Sequence, residues 1–199
     1  MQTTNFQEPF ELFAKWLKKA KRNKEITEPT AMCASTVDKS GRPSSRMVLL
    51  KHFDEAGFCF YTNLTSRKAK ELENNNNVAA CFYWGVLGLQ VRIEGKVKKV
   101  TQSEADDYFA SRRRESQIGA WASKQSYEMK QKSDLKTRIK EITKSFEDQD
   151  VPRPPFWSGY RLVPSKIEFW QEGDYRIHDR TLYKLARDRK SWKIEKLYP

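Results

Sequence analysis

Three nitrogen-rich side chains recur at every second position in "EFWQEGDYRIHDR": Arg176, His178 and Arg180. In an extended strand such residues share one face, with Ile177 and Asp179 on the other. Packed in a row they repel one another unless something anionic or electron-rich lies across them. A second set, in "YFASRRRES", places Tyr108, Arg112 and Ser116 at i, i+4 and i+8. On one helix these form a stripe of a phenol, a guanidinium and a hydroxyl, all donors that suit a phosphate. Spacing alone favours the plainer reading, a solvated face with an incidental tyrosine.

A third set is "YTNLTSRKAKEL", where Tyr61, Thr62, Thr65 and Ser66 precede Arg67 and Lys68. A strand ending there and a helix starting there would leave free N–H groups beside two cations, an anion site. Basic residues in a first turn oppose the helix dipole, so they need another reason to be present. In "RMVLLK", Arg46 and Lys51 bracket the apolar Met47, Val48, Leu49 and Leu50. Cations at the ends of a buried strand also snorkel to solvent, and that is the plainer reading. "QIGAWASKQS" adds Gln125 and Ser126, a weak signal alone. Trp84, Trp121, Trp157 and Trp170 read by default as core residues, although planar ligands also stack on Trp. His52 reads as an ordinary, partly exposed histidine.

The elements that must position these groups follow from periodicity. "EPFELFAKWLKKAKRNKE" is an amphipathic helix with Phe10, Phe13, Trp16 and Leu17 on one face. Residues 31–63 read as three strands separated by turn signals at 40–43 and 55–57. A short helix follows, capped by Thr65 or Ser66, then two strands in "VAACFYWG" and "LQVRIEGKVKKV". "TQSEADDYFASRRRESQIGAWAS" reads as helical, opened by Thr101 or Ser103, and "SYEMKQKSDLKTRIKEITKSFED" as a longer charged helix. The prolines of "VPRPPFW" force extended chain. The end returns to strands, including "DYRIHDRTLYKLA". Six to eight short strands with helices between them predict one mainly β domain over residues 1–199, an antiparallel barrel decorated by helices, with 1–27 as a helical extension packed on it. The alternation of a doubly wound sheet and a GxGxxG fingerprint are both missing, so a nucleotide-like ligand would not bind in the Rossmann manner.

Composition narrows the partners. There are 38 Lys and Arg against 26 Asp and Glu, a formal charge of +12 that suggests an anionic partner. A nucleic-acid-binding barrel would interleave exposed aromatics with cations along one sheet face, whereas these cations cluster at strand ends and on helices. Cys33, Cys59 and Cys81 are an odd set without CxxC spacing, which argues against a disulfide framework and against a metal, and predicts buried thiols in a reducing compartment. No run approaches a membrane span, and the N-terminus shows no secretory pattern, so a cytoplasmic protein is expected.

Taken together the motifs resemble the pyridoxamine/pyridoxine 5′-phosphate oxidase family. They stand in order as "GRPSSRMVLLK", "FYTNLTSRKAKEL", "QVRIEG", "YFASRRRESQIGAWASKQS", "PPFWSGYRLVP", "IEFWQEGDYRIHDR" and "W" followed by "LYP". The resemblance implies an FMN-binding split β-barrel, antiparallel and Greek-key-like, acting as a homodimer whose flavin sites are built from both subunits. It implies FMN contacts from Arg46, Met47, Val48, Leu49, Leu50, Lys51, Tyr61, Thr62, Arg67, Lys68, Gln90, Gln125, Ser126, Trp170 and Arg180. Lys51, Tyr108, Arg112 and Ser116 would hold the substrate phosphate, and Arg176 and His178 would act at the substrate ring. The implied reaction oxidises pyridoxamine or pyridoxine 5′-phosphate to pyridoxal 5′-phosphate, with dioxygen as acceptor and hydrogen peroxide as by-product. No metal, nucleic acid or membrane is implied. The chain departs from the family pattern at Gly85, where many relatives have His, and at Leu89, where many have Arg.

Overall fold

The long sheet is built on two-residue alternation. The computed structural model describes residues 2–199, so the first residue of the expected 1–27 extension lies outside it. Strand β2 (Ala31–Val37) and strand β6 (Asn77–Trp84) both bury every second residue, the mark of a sheet with one face on a core. They pair with each other, and β2 also pairs with β3 (Pro43–Leu49). β6 continues into β7 (Leu89–Lys99), β7 into β8 (Trp157–Gln171), then β9 (Asp179–Leu185) and β10 (Ser191–Lys196). All these pairings are antiparallel, and the sheet is not closed into a cylinder.

Strand β8 organises the sheet. It pairs with β7 along its length, while its first half also pairs with β5 (Gly57–Asn63) and its second half with β9. The exchange falls at a bulge between Glu94 and Gly95, where Gly95 faces Pro164. A Cβ at Gly95 would stand 2.1 Å from the Val163 carbonyl oxygen, so glycine is required by close approach. Residues 31–63 hold four strands rather than three, because the short β4 (His52–Asp54) folds back on β5.

Helix α1 (Glu8–Arg22) buries Phe10, Phe13, Trp16, Leu17 and Ala20, the stripe its periodicity predicts. Phe13 is fully buried, edge-on to Phe53, Phe58 and Phe82 at 4.8–5.1 Å between ring centres. The expected 1–27 extension is not only helical. Strand β1 (Gln2–Asn5) pairs with β10, and Trp192 Nε1 donates to the Phe6 carbonyl at 3.0 Å. The N-terminal segment is thus an edge strand and a core helix at once.

Helix α2 (Arg67–Asn74) begins at Ser66, whose hydroxyl accepts from the Ala69 N–H. The long helix expected through 101–123 is two helices, α3 (Gln102–Ala110) and α4 (Arg114–Ala122). Thr101 opens α3 with a capping box to Glu104. The chain breaks at Arg113, in extended conformation, and the corner is closed by Gln117 Nε2 donating to the Phe109 carbonyl at 3.0 Å. Helix α5 (Lys132–Ser145) buries none of its residues.

All three cysteines are free. Cys59 is buried, and burial pushes its thiol up to about 11. Cys33 and Cys81 are half-buried cross-strand partners, not buried as expected. No helix among the described residues is long and apolar enough to cross a membrane.

Because Phe13 sits among rings from β4, β5 and β6, Phe13→Ala is expected to lower global unfolding free energy by about 3–5 kcal/mol. Urea titration followed by tryptophan fluorescence checks it. An unchanged midpoint would mean that α1 is a separable appendage.

Candidate functional site

The strand-to-helix junction at the end of β5 carries a buried cation. Lys68 lies in the first turn of α2, is 8% exposed, and donates from Nζ to Thr62 Oγ1 at 2.9 Å and to Gln125 Oε1 at 3.3 Å. Thr62 in turn donates to Gln125 Oε1 at 3.0 Å. Burial pushes the Lys68 ammonium down to about 8, Arg46 lowers it further, and Glu71 opposes. This is the other reason for basic residues in a first turn: the ammonium is folded back over the end of β5 as a poised cation.

Beside it stands an aromatic slab. Tyr61 stacks on Tyr108 at 4.1 Å and on Trp157 at 5.3 Å between ring centres. Gly159 makes room for it, since a Cβ there would approach the Tyr61 ring to 2.7 Å. The Arg112 guanidinium lies over Trp157 at 4.9 Å and over Phe109 at 5.4 Å. Its Nη1 is buried with no hydrogen-bond partner, and burial lowers its pKa. A buried donor without an acceptor costs about 1–3 kcal/mol, and an acceptor brought to this atom would relieve that cost.

These groups enclose a cavity of about 640 Å³, within the range of small-molecule sites. Met47, Val48, Leu49, Lys51, Tyr61, Thr62, Lys68, Tyr108, Arg112, Ser116 and Gln125 all line it. Tyr108, Arg112 and Ser116 meet there although they do not form a helical stripe. Tyr108 belongs to α3, Arg112 to the corner and Ser116 to α4, and the corner turns all three inward. Trp157, read from sequence as core, is also a wall, as are Asn63, Arg113 and Ser123.

Other expected contacts lie elsewhere. Leu50 is 4% exposed and packs in the main core. Arg67 and Ser126 line a neighbouring depression. Arg46 is turned to protein groups: Nη1 donates to the Ala34 carbonyl and to Thr36, and Nη2 to Ser44 and to Glu71 at 3.1 Å.

Gln90, Trp170 and Arg180 form a second group. They are successive cross-strand partners on β7, β8 and β9 and so share one face. Arg180 donates from Nε to Glu168 Oε1 at 2.8 Å and from Nη1 to the Tyr198 carbonyl at 2.9 Å, while Arg92 holds the other Glu168 oxygen at 3.1 Å. Arg176 and His178 do not continue this strand. β9 starts at Asp179, and residues 174–176 form a 3₁₀ turn with Tyr175 and Arg176 at positive φ. Arg176, His178 and Arg180 therefore do not share a strand face. The reason is Gly173: its N–H donates to His178 Nδ1 at 3.3 Å, closing a tight loop. With Nδ1 accepting, a neutral His178 carries its hydrogen on Nε2. Its ring lies 4.6 Å from that of Trp170.

None of the second group lines the cavity. Trp170 stands 13 positions along β8 from the cavity wall Trp157, so the two groups occupy opposite ends of that strand.

Sequence reasoning missed Glu71 and Glu168, the buried carboxylates that hold these arginines. The i, i+4 spacing of Arg67 and Glu71 was the available signal, and it is common on any helix. Among the described residues no cluster of His, Cys, Asp or Glu could hold a metal ion.

Comparison with known proteins identifies the family and the fold. Residues 19–146 match the family described as pyridoxamine 5′-phosphate oxidase, and residues 157–199 match the pyridoxine 5′-phosphate oxidase C-terminal dimerisation region. A pyridoxine/pyridoxamine 5′-phosphate oxidase of Brucella canis is 47% identical over 196 residues, spanning 98% of this chain and 96% of its own. PhzG from Burkholderia lata 383, solved with tetrahydrophenazine-1-carboxylic acid, superposes with a TM-score of 0.90 at 32% identity, covering 96% of this chain and 92% of its own. A pyridoxamine 5′-phosphate oxidase-related, FMN-binding protein from Nostoc punctiforme shares the fold, with a TM-score of 0.76 at 15% identity over 95% of this chain and 96% of its own. The open antiparallel sheet with helices between its strands places the molecule among the split-barrel folds. Within that class, the chain belongs to the pyridoxamine 5′-phosphate oxidase family and is an oxidoreductase.

If Arg112 Nη1 is an anion contact waiting for its partner, inorganic phosphate should raise the Tm of the wild-type protein and leave Arg112→Met unmoved. In the absence of phosphate the two should differ by no more than about 1 kcal/mol, because relief of the unpaired donor offsets the lost cation–π contacts. Thermal scans with and without phosphate check both expectations.

Proposed function

We propose that the protein oxidises pyridoxamine 5′-phosphate and pyridoxine 5′-phosphate to pyridoxal 5′-phosphate, with FMN as cofactor and dioxygen as electron acceptor, in the synthesis and salvage of vitamin B6. The observation that carries this reading is the buried, unpartnered Nη1 of the half-buried Arg112 in a cavity also lined by Lys51, Tyr108 and Ser116. Those four groups supply cationic and hydroxyl donors for a substrate phosphate. Holding the phosphate remotely from the reacting carbon fixes the substrate's orientation before chemistry.

The cofactor fits the remaining groups. Lys68, Thr62 and Gln125 would hold its phosphate end, with Arg67 and Ser126 beside them and Arg46 behind. Tyr61 and the β3 segment from Met47 to Lys51 would form the wall. Held there, FMN would supply the two-electron redox chemistry that the oxidation needs, with dioxygen as final acceptor.

A second copy of the chain completes the site in this reading. Gln90, Trp170, Arg176, His178 and Arg180 do not line the cavity of their own chain, and Trp170 is at the opposite end of β8 from the cavity wall Trp157. A homodimer with a site at each end of a shared interface brings them there, and the match to a dimerisation region at 157–199 supports it. Tyr175 at 95% exposed and Ile177 at 70% exposed are then covered rather than left in water. His178, with its hydrogen on Nε2, donates to a substrate heteroatom, and Arg176 stabilises negative charge developing on the ring.

Mixing the purified protein anaerobically with pyridoxine 5′-phosphate should bleach its flavin absorbance in one turnover, and no bleaching would sink the proposal. His178→Ala should slow that reduction by roughly 10²-fold or more with the cofactor still bound. Reduction at the wild-type rate would remove His178 from the chemistry.

The Lys68 ammonium adds a pH dependence. Without ligand its pKa is about 8, and contact with a phosphate raises it, so binding above pH 8 takes up a proton. FMN affinity should be flat between about pH 7 and pH 8, above the second phosphate ionisation at about 6, and then fall by up to about tenfold per pH unit. In Lys68→Met the affinity should be weaker throughout and the step absent. Titration of apoprotein with FMN at a series of pH values is the check.

A further inference from the structure

Glu71 is the most heavily coordinated carboxylate near the cofactor cavity, and none of the expected contacts includes it. Its side chain is 5% exposed. Oε2 accepts from the hydroxyls of Thr36 and Ser44 and from Arg46 Nη2 at 3.1 Å, and Oε1 accepts from Arg67 Nε at 2.8 Å. One side chain thus ties β2, β3 and α2 together. Burial raises its pKa, but these donors outweigh burial and hold it at about 2. It stays ionised at any working pH.

The arrangement fixes what each arginine presents. Arg67 is gripped through Nε alone, so its terminal nitrogens stay free, and its side chain is 63% exposed in the depression shared with Thr65 and Ser126. Arg46 spends both terminal nitrogens on protein acceptors and cannot swing into the cavity. It remains close enough to Lys68 to depress that ammonium. Three cations and one carboxylate leave two net positive charges here, the complement of a phosphate dianion.

We propose that Glu71 is a positioning residue for the cofactor phosphate: it aims the free fork of Arg67, locks Arg46 behind Lys68, and thereby makes the site select a phosphorylated flavin over the same flavin without its phosphate. The inference rests on the reading that the FMN phosphate lies at the start of α2. It has a diagnostic sign. Removing a negative charge beside an anion site should by itself tighten anion binding. A carboxylate that only holds the fold would, when lost, weaken every flavin alike. Only a positioning carboxylate makes its loss weaken FMN and spare riboflavin.

The test measures dissociation constants of FMN and riboflavin for the apoprotein by flavin fluorescence quenching, in wild type, Glu71→Gln and Glu71→Asp. Glu71→Asp keeps the charge and withdraws it from Arg46 and Arg67, and serves if Glu71→Gln does not fold. Wild type should prefer FMN strongly. Both variants should bind FMN at least roughly tenfold more weakly, the scale of one charge-assisted hydrogen bond, with riboflavin affinity unchanged. Tighter or unchanged FMN binding in Glu71→Gln, a wild-type-like Glu71→Asp, or a parallel loss of both flavins would each overturn the inference. A wild-type protein that does not distinguish FMN from riboflavin would instead sink the phosphate placement itself, before any variant is compared.

Discussion

Strand β8 runs for 15 residues and cannot keep the same two neighbours along its length. A twisted sheet this wide must curl or split, and here the split is made at one place, the bulge where Gly95 meets Pro164. Before the bulge β8 has β5 beside it, which puts Trp157 and Gly159 against Tyr61 and so builds the aromatic wall of the cavity. After it β8 has β9 beside it, which sets Trp170 between Gln90 and Arg180. Both halves of the site are thus displayed on one strand. Proline suits the position because it has no N–H to leave unpaired, and glycine because nothing larger fits.

The charges follow a division of labour. Arg46 and Arg180 are tied to the buried carboxylates Glu71 and Glu168, whereas the half-buried Arg112 has a buried Nη1 unanswered and Lys68 is buried among neutral acceptors. Buried cations are costly unless paired. The paired ones are rigid parts of the framework, and the underpaired ones would gain the most from an anionic ligand. Tyr175 and Arg176 carry positive φ at two successive residues with side chains, in the loop closed by Gly173 and His178. Under the proposed function these features share one purpose, to hold an anionic cofactor and an anionic substrate on one aromatic surface.

Much of the fold was legible. The α1 stripe, the Ser66 and Thr101 caps and the strands of 77–99 follow from periodicity and capping chemistry. The misreadings have local causes. Tyr108, Arg112 and Ser116 fit a helical stripe by spacing, yet Arg113 breaks the helix and a side-chain bond from Gln117 fixes the corner. "RIHDR" fits a strand by alternation, yet a glycine five residues before His178 turns the chain back on itself. "QTTN" is too short and polar to announce an edge strand, and its pairing with β10 comes from the far end of the chain.

The sequence by itself determined which groups could bind an anion, where helices start, and which residues prefer the core, because those are properties of side-chain type and of neighbours within a few positions. Tertiary structure decided which of those groups meet. Lys68 reaches Gln125 across 57 positions and Glu71 reaches Thr36 across 35, contacts that no local pattern encodes. It also left Arg180 outside the cavity that Met47 lines, although the resemblance assigns both to one ligand. Strand order is set by burial of whole faces and by where a bulge can be accommodated, and those are properties of the assembled sheet rather than of any segment in it.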